Sequence, residues 1–293
     1  MRYKGPGVVK FLPFLLIAAQ VAFGAGVLEK AQQSFDRTQY RDVIEAVKPL
    51  ADAGDSAATA LLAKSYFMLG EFGKSADIFE KAIAANPQNS EYYHWLGKAY
   101  GRRAETANPL SAPILASKAR NAFEKSVQLD GHNLEAMNDL FSYYLEAPGF
   151  LGGGLDKAEA LAVRIKALDP VEYHYDLAQV AEKRKEFKTA EFHFRSAFTM
   201  APKSVGRAID LARFLSKQGR DQESDVIFAQ AEKIAPNSPR LMFERASAYV
   251  RAKKNLDIAK QLLERYLQSS LTPDDPPRAE AERLLRKAES AGA

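Results

Sequence analysis

The feature that most constrains this chain is a pattern that returns every 34 residues. Residues 56–89, 171–204 and 205–238 have equal length and matching slots. The first carries Leu62, Ala63 and Tyr66, then Ser75, Phe79 and Ala82, and closes at Pro87. The second carries Leu177, Ala178, Ala181, Ala190, Phe194, Ala197 and Pro202; the third carries Leu211, Ala212, Leu215, Ser224, Phe228, Ala231 and Pro236. Each unit is expected to be two antiparallel helices that approach closely where small side chains meet, with large residues filling the space between units. The proline ends the second helix, because it cannot donate the next backbone hydrogen bond. One such unit cannot bury its apolar face alone, so the units must stack, and the fold class expected is an all-α solenoid.

Four further units depart from the pattern. Residues 90–133 keep Tyr93-x-x-Leu96-Gly97-x-x-Tyr100 and Ala119-x-x-x-Phe123, with about ten extra residues between them, read as a loop at 103–116. Residues 134–170 have Phe141 where a small residue is expected, and a long turn at 147–155, where Pro148 and the glycines prevent helix. Residues 239–271 form a looser unit and 24–55 a degenerate first one. Asp275 before Pro276 reads as a helix N-cap, and 276–290 as a capping helix over the last apolar face.

The pattern resembles the tetratricopeptide signature, W-x2-L-G-x2-Y…A-x3-F…P, with Tyr93 in place of Trp. The resemblance covers residues 24–293. It implies a right-handed superhelix of six to seven helix pairs plus the cap, and a role in protein association; it carries over no catalytic residue. Within it, Tyr92–Gly101 and the run Ala147–Ala158 resemble a subgroup of exported bacterial tetratricopeptide proteins of unassigned function.

The N-terminus bears on the compartment. Arg2, Lys4 and Lys10 precede an apolar run, Phe11 to Phe23, that ends at Ala22-Phe23-Gly24. This is the plan of a secretory signal peptide cleaved after Gly24, with a periplasmic or otherwise exported mature chain. The alternative is an uncleaved inner-membrane anchor at 11–23, shorter than the roughly 20 residues of a spanning helix. Cleavage would remove three basic and no acidic residues, leaving 38 basic against 37 acidic. A near-neutral mature chain has no general electrostatic reason to bind nucleic acid. With no cysteine there is no lipid-modified cysteine, disulfide or thiol nucleophile.

Motifs for chemistry are incomplete. Gly149 and Gly154 have P-loop spacing, but Leu155 and Asp156 follow instead of Lys and Ser/Thr. None of the four histidines, His94, His132, His174 and His193, falls at H-x-x-x-H spacing, so no metal site is expected. No serine occupies a G-x-S-x-G elbow. The basic run Lys183-Arg184-Lys185 with Lys188 reads as a solvated turn. The expectation is a non-enzymatic protein without cofactors.

Binding is therefore assigned to the inner face of the first helices, selected by the 3.6-residue period. The candidate groove residues are Lys64, Phe67, His94, Lys98, Arg102, Asn138, Tyr175 and Arg213. Lys98 and Arg102 stand four apart and share a helical face suited to one carboxylate, a loose resemblance to the carboxylate clamp of chaperone-binding tetratricopeptide domains. The expected partner is a protein or peptide, with a self-associating structural solenoid as the alternative. Loops 103–116 and 147–155 are expected to project from one edge, the second serving either as a binding lip or as a plug beside Phe141.

Overall fold

The computed structural model describes residues 25–272 and 275–291. The segment 1–24, expected to be a signal peptide, lies outside them. Among the described residues there are fifteen α-helices and one 3-10 turn, and no strand. The chain divides at Gly153–Gly154 into two compact units. The division falls inside the expected fourth repeat.

The first unit contains α1 (25–36), α2 (Tyr40–Asp52), α3 (Ser56–Met68), α4 (Phe72–Ala85), α5 (Ser90–Thr106), α6 (Ala112–Leu129), α7 (Leu134–Glu146) and the 3-10 turn Gly149–Leu151. Helices adjacent in sequence pack together from α2 to α7, and α3 also touches α5. Ala31, Val43, Val47, Leu61 and Leu62 make one core across α1, α2 and α3, with Phe35 edge-on to Tyr40 at 5.2 Å. Further along, Phe79, Leu96, Phe123, Met137 and Leu140 are buried.

The second unit contains α8 (Leu155–Ile165), α9 (Pro170–Lys183), α10 (Phe187–Met200), α11 (Val205–Lys217), α12 (Asp221–Ile234), α13 (Pro239–Ala252), α14 (Leu256–Gln268) and α15 (Arg278–Ala291). Phe194, Ile209, Phe214 and Phe228 centre one core. Leu263, Tyr266, Ala281 and Ala288 lie in another, so α15 covers the last apolar face as expected. No helix among the described residues is long and apolar enough to cross a membrane.

The same caps recur through the repeats. The side chains of Asp55, Asn89, Asn133, Asp169, Ser204 and Ser238 each accept a backbone N–H from the first turn of a first helix. Each such cap is worth about 1 kcal/mol. At the other end, Gly70, Lys185, Gly219 and Lys253 all have positive φ in the turn that leaves a first helix.

Two sequence expectations are corrected. The segment 103–116 is mostly helix: α5 runs to Thr106 and α6 begins at Ala112, leaving residues 107–111 as the connection. The extra residues lengthen both helices because Arg103-Ala104-Glu105 propagates helix and Pro113 is accommodated in the first turn of α6. Asp275 does not cap α15. Its carboxylate accepts from Thr272 N and Oγ1, both at 2.9 Å, and α15 begins only at Arg278, after Pro276 and Pro277.

Candidate functional site

In the first unit, α3 and α5 build an aromatic surface under a row of cations. Trp95 on α5 meets Phe67 edge-on at 5.3 Å and stacks on Phe79 at 6.5 Å. Phe67 in turn meets Phe72 at 5.1 Å. Lys64 and Lys98 place their ammonium groups 5.3 and 4.4 Å from the Trp95 ring centre, and the Arg102 guanidinium lies 5.5 Å from that of Phe72. Each such contact is worth about 0.5–1 kcal/mol where exposed. The spacing explains the row, since Lys98 and Arg102 are one helical turn apart and Lys64 is the repeat equivalent of Lys98.

The three cations are not equivalent. Lys64 is paired with Glu91, and Arg102 with Glu105 at 2.7 Å. Lys98 has no carboxylate partner among the described residues; it is held by Trp95 and by Phe67 at 5.9 Å. The structure thus offers one uncompensated ammonium on an aromatic floor. The exposed Arg102–Glu105 pair exchanges partners at little cost.

The other expected groove residues fall elsewhere. His94 is 2% exposed, wedged near Phe123, with Nε2 2.7 Å from Asp139 of α7. It joins two repeats instead of facing a ligand. Asn138, also on α7, has a buried Oδ1 with no hydrogen-bond partner.

Tyr175 and Arg213 belong to the second unit and to a buried charge network. The Arg207 guanidinium stacks 3.9 Å over Tyr175 and reaches Glu172 at 2.5 Å and Asp210 at 3.3 Å. Arg213 bridges Asp210 at 3.5 Å and Glu244 at 3.8 Å. Burial, reinforced by Glu172, pushes Asp176 up to about 8, and burial also raises Tyr175 to about 12. Asp176, Asp210 and Glu244 stand 34 residues apart in sequence, a repeat of acidic residues that pattern reading passed over because it selected the aromatic and cationic slots.

The turn 147–155 is pinned by its backbone. Leu151 O accepts from Arg120 Nη1 at 2.8 Å and from the Tyr143 hydroxyl at 2.9 Å. Gly152 has φ +87, and Gly153 leaves no room for a Cβ, which would lie 1.8 Å from Ala147 O. Phe150 nevertheless projects, 83% exposed. The turn therefore has a tethered base and an exposed apolar tip. In the 107–111 connection, Leu110 is 86% exposed.

The basic run in the second unit is partly structural. Arg184 reaches from the end of α9 to Asp156 at 2.6 Å and Glu159 at 2.7 Å on α8. One pairing had no signature in sequence spacing. His174 of α9 and His193 of α10 face each other with Nδ1···Nδ1 2.9 Å. Burial holds both imidazoles below the usual histidine range, helped by Lys166 for His174 and by the mutual proximity for His193.

These helix pairs have the architecture of tetratricopeptide-repeat solenoids. A family model described as tetratricopeptide repeat matches residues 58–89. A tetratricopeptide repeat protein from Parabacteroides merdae is similar in structure, with TM-score 0.69, 13% identity, and coverage of 91% of this chain and 98% of that one. The thermophilic TPR protein TTC0263 from Thermus thermophilus has TM-score 0.52 and 19% identity, over 66% and 98% of the two chains. The C-terminal part of a TPR repeat-containing protein from Cytophaga hutchinsonii gives 0.51 and 16%, over 87% and 98%. No curated relative matches the sequence.

Proposed function

We propose that this protein is a non-enzymatic scaffold of the bacterial envelope that binds an acidic peptide or partner segment on the α3–α5 face. The observation that carries the reading is Lys98, an ammonium without a carboxylate partner among the described residues, poised 4.4 Å over Trp95. A carboxylate from a partner would meet Lys98 directly and recruit Arg102 from Glu105, while an adjacent apolar side chain packs on Phe67 and Trp95. Charge-assisted hydrogen bonds supply orientation and the aromatic surface supplies buried area. Tetratricopeptide folds generally serve protein association, which supports the class of partner. The exported location rests on the N-terminal sequence.

Trp95 is the sole tryptophan, so its fluorescence reports this face alone. Titration with a library of acidic peptides is expected to give saturable changes in Trp95 emission, weakened at least tenfold by Lys98→Glu with Arg102→Glu. Unchanged affinity in that variant would sink the assignment of the site. A fusion of the N-terminal segment to a reporter active only outside the cytoplasm tests export separately.

A further inference from the structure

A cavity of about 320 Å³ opens in the first unit between the end of α2, the start of α3 and the second half of α4. Ala51, Leu62, Ile78, Ala82, Ala85 and, from α5, Tyr92 give it a mostly apolar lining. Its cause lies in the repeat. Ten residues after the small crossing residue, the second helix ends in Leu129, Leu168, Met200 or Ile234 in four successive repeats. The same slot after Ser75 holds Ala85, and Ala51 stands 34 residues before it. Both alanines line the cavity, which is the space that larger side chains would take.

The polar groups of the lining are mostly engaged. The Thr59 hydroxyl donates to Asp55 O at 2.7 Å, and the Tyr92 hydroxyl to Ser56 O at 3.1 Å. Asp52 is paired with Lys48 at 2.8 Å. Lys81 differs: it lines the cavity, is exposed, and has no carboxylate partner among the described residues. Lys64, Phe67, Trp95 and Lys98 do not line it, so this site is distinct from the α3–α5 face.

We infer that the cavity binds a small amphiphile of the medium-chain fatty carboxylate class, its tail among Leu62, Ile78 and Ala85 and its carboxylate on Lys81. The space is more than twice the roughly 150 Å³ of an apolar cavity that takes up benzene, and it falls within the roughly 300–1,000 Å³ of small-molecule sites. Walls whose hydroxyls are already paired hold water poorly, so an apolar tail displaces it without losing hydrogen bonds. A carboxylate at the mouth makes a charge-assisted hydrogen bond to Lys81, which a neutral guest cannot.

The test is calorimetric titration of the full chain with sodium octanoate, sodium decanoate and 1-octanol, alongside Ala85→Leu and Lys81→Met. One ligand per chain is expected, with decanoate tighter than octanoate by roughly tenfold for its two added methylenes. Ala85→Leu, which installs the side chain that later repeats carry, is expected to weaken all three ligands at least tenfold. Lys81→Met is expected to weaken octanoate at least threefold and to leave 1-octanol unchanged. Methyl NMR of the unsubstituted chain needs no variant, and octanoate is expected to shift the Leu62 and Ile78 resonances. Absence of saturable binding would leave the cavity to an apolar side chain of a protein partner and overturn the inference. So would full affinity in Ala85→Leu, equal loss of octanoate and 1-octanol in Lys81→Met, or unmoved Leu62 and Ile78 methyls.

Discussion

The ring of Phe123 occupies the space that a side chain on Gly97 would need. A Cβ built on Gly97 would lie 2.6 Å from both Cδ1 and Cε1 of that ring. The small slot of the first helix and the aromatic slot of the second are thus one contact seen from two sides. Gly97→Ala is expected to destabilise the first unit by about 1–3 kcal/mol, the usual cost of overpacking. Urea denaturation measures this, and adding Phe123→Leu should recover part of the loss, because the two positions are coupled.

The left-handed residue that leaves a first helix offers a second test. Gly70 and Gly219 occupy it at φ +78 and +74, whereas Lys185 and Lys253 are held there at φ 63 and 53. A residue with a Cβ is disfavoured in that region by about 1–2 kcal/mol. Lys253→Gly and Lys185→Gly should each raise stability by up to about 1 kcal/mol, after the added freedom of the unfolded glycine is counted. Gly70→Ala should lower it by a similar amount. A raised denaturation midpoint for both lysine variants and a lowered one for Gly70→Ala are the expected outcome; a lowered midpoint for both lysine variants or a raised one for Gly70→Ala would refute the argument.

These positions show what was legible in the sequence. The period of 34 located the helix pairs and the small crossing residues Ala63, Gly97, Ala178 and Ala212. It did so because packing of neighbouring repeats imposes the same demand at the same slot. The helical 103–116 segment escaped because an insertion was read as a loop, although its residues favour helix. His94 sits on the face expected for ligand, yet a neighbouring carboxylate, Asp139, takes it inward. Contacts between helices, such as His174–His193, have no fixed spacing to read.

The turn after α7 separates tether from tip. Arg120 donates to Leu151 O from a largely buried position, so Arg120→Ala removes a charged hydrogen bond worth about 1.5–3 kcal/mol. Phe150 is almost wholly exposed and should be replaceable by Ala within about 0.5 kcal/mol. Thermal unfolding of the two variants checks the contrast. A large loss from Phe150→Ala would show that the tip packs instead of projecting.

Ser75 and Ser224 occupy the same repeat slot and are both buried, but only one has its hydrogen bond. Ser224 Oγ donates to Ala212 O at 2.8 Å, whereas Ser75 Oγ has no partner. Ser224→Ala is expected to lose about 1 kcal/mol, and Ser75→Ala to be neutral or stabilising, since it removes a desolvated hydroxyl. Equal effects in chemical denaturation would refute the distinction.

Asp210 gives the stability of the second unit a particular pH dependence. Burial raises its pKa above the ordinary carboxylate value, against the pull of Arg207, Arg213 and Arg240, while Glu244 adds to the rise. Between the unfolded value, near 4, and the raised folded value, the native state binds more protons than the unfolded state. Stability from this group is therefore fully present below about pH 4 and is lost as pH rises through the folded pKa, with a slope of at most about 1.4 kcal/mol per pH unit. Asp210→Asn cannot titrate, so the wild type should lose stability relative to that variant as pH increases across the window, whatever the offset between them at pH 4. Urea unfolding of both proteins from pH 4 to pH 9 measures the difference. A difference that stayed flat, or that grew in favour of the wild type with rising pH, would mean that the three arginines outweigh burial and hold the folded pKa at or below its unfolded value.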